Sequence, residues 1–411
     1  MEYNCYDSWI HNCGKIGVDL PEEVLLQGRP TWAEISLDNL AHNIRVVRKI
    51  LKPETLLMAV VKADAYGHGA EETARLALAE GCQWLGVALP EEGIELRLKG
   101  IDSPILVMGP VALSAAPLFV QYNLTPTIYS WELAEAFSEE AARRGISLKV
   151  HIKVDTGMGR LGFPFYKNPV EAVEKVAALP GLEIEGLYTH FSSADEPEED
   201  FTLQQWLRFQ NIITSCQEKG ITIKIPHAAN SGGILKYPQS HASLVRLGIS
   251  LYGCLPSFDM NIKEVDLKPV LSLKSRLTFI KEVPPCFPVS YGRSYYTKGS
   301  SVLATVPIGY ADGLSRHLSN TGFALVKGKR VPIVGRVCMD QTILDVSSIP
   351  EARIEDEVVF YGSQGKEAIS VDEVAGHLGT ISYEVLCSVG KRVPRAYTRG
   401  KTYEKVRSFL Q

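Results

Sequence analysis

Residues 59–70 read AVVKADAYGHGA, and Lys62 is the residue in that stretch whose type and place could do chemistry. Ala59, Val60 and Val61 have the character of a buried strand's end, so the amine arrives just where the apolar run stops. Burying a lysine is costly, because desolvation disfavours its charged form. The same cost can produce a neutral, nucleophilic amine of the kind that forms imines with carbonyl compounds. A rim lysine that merely lays its stem along apolar surface is the commoner case. Alone, KADAYGHG allows both readings.

Something must position that amine. From about residue 56, short apolar runs (LLMAVVK, WLGVAL, PILVMG, LTPTIYS, LKVHIKVD, LEIEGLYTHF, IKIPHAANS, LVRLGISLYG) alternate with helical patterns such as AEETARLALAEG and WELAEAFSEEAARRG. Eight strands alternating with helices over about 200 residues predict an α/β fold built on a (β/α)8 barrel. The seventh connection, GGILKYPQSHAS, is short for a full helix. After about residue 260, strand-like segments joined by tight turns such as Lys327-Gly328-Lys329 predict a C-terminal, mainly β domain with little room for helices. The expected division is a barrel over 29–260 and a β domain over 261–411, preceded by an extension, 1–28, of no assigned role. TWAEISL, residues 31–37, is a strand that could pack with the β domain although it comes first.

Barrels gather catalytic groups at the C-terminal ends of their strands, and their usual phosphate site follows strands seven and eight. Those places hold NSGG (230–233) and RLGIS (246–250), small residues whose backbone N–H groups can approach a phosphate closely. Either turn alone could be plain punctuation. Together with a lysine on the first strand, they call for a cofactor bearing both an aldehyde and a phosphate. Pyridoxal 5′-phosphate has both.

Composition narrows the remaining choices. The net charge of −4 gives no electrostatic case for nucleic acid. No apolar stretch approaches the roughly 20 residues of a membrane helix, and the N-terminus lacks a secretory signal's basic start and apolar block. The 8 cysteines are scattered without a CxxC pair, which reads as reduced thiols and no zinc site. A soluble cytoplasmic protein is expected.

Nine segments, taken in order, carry a resemblance: AVVKADAYGHG, HIKVDTGMGRLG, YTHFSSADE, ANSGG, VRLGISLYG, VSYG, PIGYADG, VGRVCMDQ and SYEVLC. With them the chain, from about residue 30 onward, resembles the PLP-dependent, barrel-type alanine racemases. The resemblance implies that Lys62 carries the cofactor as an internal aldimine. It gives the phosphate to Tyr66, Ser231, Gly248, Ile249 and Tyr383, with Asn230 beside them. It sets Arg246 against the pyridine nitrogen and Arg160 against the phenolic oxygen and the substrate, with Lys153 carbamylated to orient Arg160. His190 links the pyridine-facing arginine to a tyrosine, Tyr291, which comes with Met339 from the other subunit of a homodimer. Asp195, Tyr310, Arg316 and Arg336 match the polar approach to the site. Without the carbamate, Lys153 could instead pair with Asp155 or reach solvent.

The implied reaction removes the α-proton of alanine on one face and returns it on the other, by a two-base mechanism on the external aldimine. Lys62 takes the proton from the D isomer and Tyr291 from the L isomer, supplying D-alanine for peptidoglycan. Both groups titrate near 10 in model compounds, so their pKa values must fall toward working pH, and Arg246 and Arg160 are the candidate cations. An arginine at the pyridine nitrogen will not hand over a proton, which keeps the ring a weaker electron sink and suppresses transamination. Rival readings are a serine or broad-specificity racemase, a barrel-type PLP decarboxylase of basic amino acids, and a non-catalytic PLP carrier.

Overall fold

The computed structural model describes residues 28–197, 200–260, 262 and 265–408, so the extension expected at the N-terminus lies almost wholly outside the described residues. The first elements among the described residues are strand β1 (Thr31–Ser36) and helix α1 (Leu37–Ile50). Ser36 caps that helix, accepting from the Asn39 N–H at 3.2 Å.

The barrel follows. Its strands are β2 (Leu56–Val60), β3 (Trp84–Val87), β4 (Ile105–Val107), β5 (Thr125–Ile128), β6 (Leu148–Asp155), β7 (Leu182–Tyr188), β8 (Ile225–His227) and β9 (Leu244–Leu247). Each pairs in parallel with the next, and β9 closes onto β2 with Leu244 opposite Leu56 and Leu247 opposite Ala59. Between them run α2 (Ala70–Ala79), α3 (Pro90–Leu98), α4 (Ala116–Gln121), α5 (Trp131–Arg144), α6 (Pro169–Ala177), α7 (Asp200–Glu218) and α8 (Ser231–Lys236). In α5 the sequence pattern and the structure coincide: Ser130 caps the start, Gly145 (φ 65°) ends it, and Leu133, Ala134, Phe137 and Ala141 share the buried face. The short seventh connection is the six-residue α8.

The second unit contains β10 (Leu271–Arg276), β11 (Phe279–Val283), β12 (Ser301–Val306), β13 (Phe323–Val326), β14 (Lys329–Pro332), β15 (Thr342–Asp345), β16 (Glu357–Gln364), β17 (Arg395–Arg399) and β18 (Thr402–Arg407). Its larger sheet runs β14-β13-β16-β10-β1-β17-β18, so β1 lies in its middle, antiparallel to β10 and parallel to β17. A smaller sheet holds β11, β12 and β15. The expectation of little room for helices needs correcting. Helices α9 (Val371–Leu378) and α10 (Ser382–Cys387) lie between the strands, and each is too short for its apolar period to be legible.

One glycine ties the two units together. Gly69 adopts φ +98°, and a Cβ there would lie 1.8 Å from the Oη of Tyr397 on β17. Gly69→Ala combines that collision with backbone strain, so it should cost at least about 2 kcal/mol of stability, read as a lower midpoint in urea unfolding.

Candidate active site

Directly after β2 the backbone does something rare. Ala63, Asp64, Ala65 and Tyr66 all have φ between 51° and 54°, a single left-handed turn of residues that are not glycine. Each such residue costs roughly 1–2 kcal/mol, so the turn persists only where its surroundings hold it. They do. The Ala63 N–H donates to Glu92 Oε1 at 2.5 Å, Asp64 Oδ1 accepts from the Ala70 N–H at 2.9 Å and from Arg407, and Arg395 donates to the Gly67 carbonyl at 2.9 Å. The turn presents Lys62 and Tyr66 on one side, with the Lys62 Nζ 6.0 Å from the Tyr66 ring centroid.

The Lys62 amine has its pKa lowered, first by burial and next by the Arg160 guanidinium. Arg160 is thus the cation with the largest influence on Lys62, acting in the direction that a base at this position needs. Tyr66 and Tyr383 are raised above the ordinary phenol value, chiefly by burial, so both stay neutral hydroxyls; Asp195 lies near enough to add to the effect on Tyr383. Their rings are 6.1 Å apart. Ser231 Oγ accepts from the Gly248 N–H at 3.1 Å. A Cβ on Gly248 would lie 3.3 Å from Tyr66 Oη and 3.6 Å from Ser231 Oγ, so a phenol, a hydroxyl and the Gly248-Ile249 backbone converge there. Asn230 caps α8 by accepting from the Gly233 N–H at 3.0 Å, which makes it a support for Ser231.

Arg246 is buried on β9 and held from several sides. It donates to His227 Nδ1 at 2.8 Å, to the carbonyls of Thr189 and Ala228 at 2.9 and 2.8 Å, and meets His190 Nδ1 at 3.2 Å. Burial pushes its pKa down to about 10, which still leaves it cationic at neutral pH. Burial and then Arg246 push His190 well below the ordinary histidine range, so it is a neutral hydrogen-bonding ring. His227 is the partner that sequence reading missed. Its one available signal was its place in IKIPHAANS, three residues before Asn230.

Lys153 is buried on β6 with its Nζ 5.5 Å from the Tyr188 ring centroid, and it makes no ion pair among the described residues. The alternative of pairing with Asp155 is weak, because Asp155 Oδ1 accepts from the N–H groups of Gly157, Met158 and Gly159 at 2.9, 2.9 and 3.1 Å. Burial, then Arg160 and Arg246, push the Lys153 pKa down to about 8.

Five further residues cluster on the β domain. Ser290 Oγ donates to the Arg336 carbonyl at 2.6 Å, and the Tyr310 and Ala311 N–H groups donate to the carbonyls of Cys338 and Met339 at 3.0 and 3.1 Å. Arg316 lies in the adjoining turn, whose Ser319 Oγ accepts from the Val337 N–H at 3.0 Å. Tyr291, Tyr310, Arg316, Arg336 and Met339 are thus neighbours, and all are exposed. Tyr291 is 71% exposed, far more than an aromatic ring with a place in its own chain's core. No hydrogen bond or ring contact among the described residues joins Tyr291 or Met339 to Lys62, His190 or Arg246.

The family model for the alanine racemase N-terminal domain matches residues 35–256, and that for the alanine racemase C-terminal domain matches 270–397. An alanine racemase of Desulfovibrio desulfuricans is 47% identical over 372 residues, which is 90% of this chain and 98% of that protein. The chain belongs to the alanine racemase family. The solved alanine racemase of Clostridium difficile 630 superposes with a TM-score of 0.89 at 38% identity, covering 93% of this chain and 99% of that one. The Bacillus anthracis alanine racemase with bound L-Ala-P gives 0.87 at 36%, covering 93% and 98%.

Membership brings the activity class, an amino-acid racemase and hence an isomerase, and the decarboxylase and carrier readings are not favoured. Among the described residues there is no group of three or more His, Cys, Asp or Glu placed to hold a metal, and no helix is long and apolar enough to cross a membrane.

Proposed function

We propose that this chain interconverts L- and D-alanine, with pyridoxal 5′-phosphate held at Lys62 and the second base, Tyr291, supplied by a partner copy. The reading is carried by one observation: a lysine with a lowered pKa stands beside the cradle of Tyr66, Ser231 and Gly248, at the barrel end where a phosphate site belongs. The fit to the cofactor is good on this chain's own terms. The space a Cβ at Gly248 would fill is faced by the Tyr66 and Ser231 hydroxyls, donors of the kind that a phosphate takes. Tyr66, Ser231, Gly248, Ile249 and Tyr383 would hold that phosphate, Arg246 would face the ring nitrogen, and Arg160 the phenolic oxygen.

When bound, the cofactor supplies an electron sink for the charge left on the substrate Cα. The chain's residues do the rest. The Lys62 amine and the Tyr291 phenol exchange the Cα proton on opposite faces. Arg246, still a cation, offers the ring nitrogen no proton. Met339, beside the phenol, closes a small pocket suited to a methyl side chain. Such a pocket rejects an added hydroxyl only weakly, so serine belongs in the assay. Purified chain loaded with pyridoxal 5′-phosphate should exchange the α-proton of alanine with solvent and bring optical rotation to zero from either isomer. A chain that does neither is not an alanine racemase.

Lys153 is proposed to carry a carbamate, because an ammonium between Arg160 and Arg246 is repelled whereas a carbamate pairs with them. This can be read from stability. Without carbon dioxide the amine releases its proton at about pH 8 in the folded chain, against an ordinary value of 10.5. The unfolded chain then binds more protons across that window, so stability from this group rises with pH between the two values. In bicarbonate-free buffer the urea midpoint should gain on that of Lys153→Met as pH rises from 8 toward 10. Added bicarbonate should raise the midpoint of the unaltered chain further and leave that of Lys153→Met where it was, because a carbamate forms only on the neutral amine of the folded chain.

A further inference from the structure

Beyond Arg246 the barrel interior holds polar groups that the reaction does not use. His227 and His151 are fully buried, and Glu185 and Lys149 lie beyond them. Their contacts run in one line. Arg246 Nη1 donates to His227 Nδ1 at 2.8 Å, His227 Nε2 lies 2.9 Å from His151 Nδ1, and His151 Nε2 lies 3.6 Å from Glu185 Oε2. Lys149 Nζ donates to Glu185 Oε1 at 2.8 Å.

A guanidinium only donates. Its bond to Nδ1 of His227 therefore needs that nitrogen bare, which puts the proton of a neutral His227 on Nε2. Nε2 then donates to Nδ1 of His151, so His151 carries its own proton on the Nε2 that faces Glu185. At 3.6 Å that last step is attraction between a carboxylate and an N–H dipole rather than a hydrogen bond, and among the described residues His151 Nε2 has no hydrogen-bond partner. Burial lowers the pKa of both imidazoles, which keeps them neutral. Burial opposes the Glu185 charge, yet the His151 and Lys149 contacts hold its pKa below the usual carboxylate value. Every link points from the cation to the carboxylate.

Local structure is shaped around this line. Val150 pairs with Ile184 and His151 with Gly186, so Glu185 is the extra residue of a bulge, a device that re-aims side chains. Gly186 has no room for a side chain, since a Cβ there would lie 2.4 Å from His151 Nδ1. Tyr188 stacks on His227 with centroids 4.6 Å apart and planes 8° from parallel, and Trp84 packs on His151 at 5.0 Å.

We propose that His151 and Glu185 are positioning residues that hold His227 in the one tautomer able to accept from Arg246, and so fix the guanidinium. The inference rests on the reading of Arg246 as the group facing the ring nitrogen. With Glu185 replaced by an apolar residue, His151 Nε2 loses the carboxylate that faces its N–H. At that end nothing then opposes the reversed pair of tautomers, in which His227 turns an N–H toward Arg246.

The test is ¹⁵N NMR of the histidine rings in cofactor-free protein, assigned by single substitutions, followed by kinetics of the loaded enzyme. The unaltered chain should show His227 and His151 protonated at Nε2. Glu185→Leu should give His227 a mixed tautomer signal and lower kcat roughly tenfold with little change in KM. Glu185→Gln, still an acceptor, should restore both readings, a rescue that a general loss of stability does not explain. Protonation of His227 at Nδ1 in the unaltered chain, or tautomers or kcat unchanged in Glu185→Leu, would overturn the proposal. Failure of the racemase reading would look different: the unaltered chain would not racemise alanine, while the tautomer pattern, read without cofactor, would stand.

Discussion

Lys62→Ala should yield a folded protein that has lost racemisation by about a thousandfold or more, together with the visible absorbance shift that marks covalent attachment of the cofactor. The size follows from the position. Lys62 sits where β2 gives way to the left-handed turn, beside Tyr66, and burial there lowers its pKa. Lys153 has a pKa pushed down to about 8, but it lies on β6 against Tyr188 and cannot take over without moving that strand. A variant that remained coloured and active would remove the basis of the mechanism. Because the alanine side chain leaves the turn's own supports at Glu92 and Arg407 untouched, unfolding should not confuse the result.

Tyr291→Phe should slow turnover from L-alanine by about 10²–10⁴-fold, while the exchange of the D-alanine α-proton with solvent survives at Lys62. Equal loss in both directions would refute the division of labour between the two bases. The exposure of Tyr291 adds a sharper consequence, since a ring left 71% exposed in its own chain is available to a second copy. In a twofold dimer, a heterodimer of Lys62→Ala and Tyr291→Phe chains contains one site with both bases intact. Mixing the two inactive proteins under subunit exchange should therefore recover roughly a quarter of full activity, since about half the dimers are mixed and each has one good site. No recovery despite demonstrated heterodimers would rule out a shared site.

Much of this was legible in the chain itself. Strands and helices alternate because apolar residues recur at periods of two and 3.6, and that local signal revealed the eight barrel strands and the later β domain. Lys62, NSGG and RLGIS were readable because residue type and place at strand ends survive without knowledge of packing. The family followed from motifs in order, and the comparisons bear it out.

Tertiary structure decided the rest, and for one reason: contacts between residues far apart in sequence leave no local pattern. Nothing in TWAEISL dictates that β1 pairs with β10 and β17, more than 230 residues further on. Nothing in KADAY announces four left-handed residues, because that strain is paid by Glu92, Arg395 and Arg407. The line from Arg246 to Glu185 is likewise invisible in one dimension. Its direction follows from its two ends, a guanidinium that can only donate and a carboxylate that can only accept, acting through two imidazoles that the barrel brings within 2.9 Å of each other.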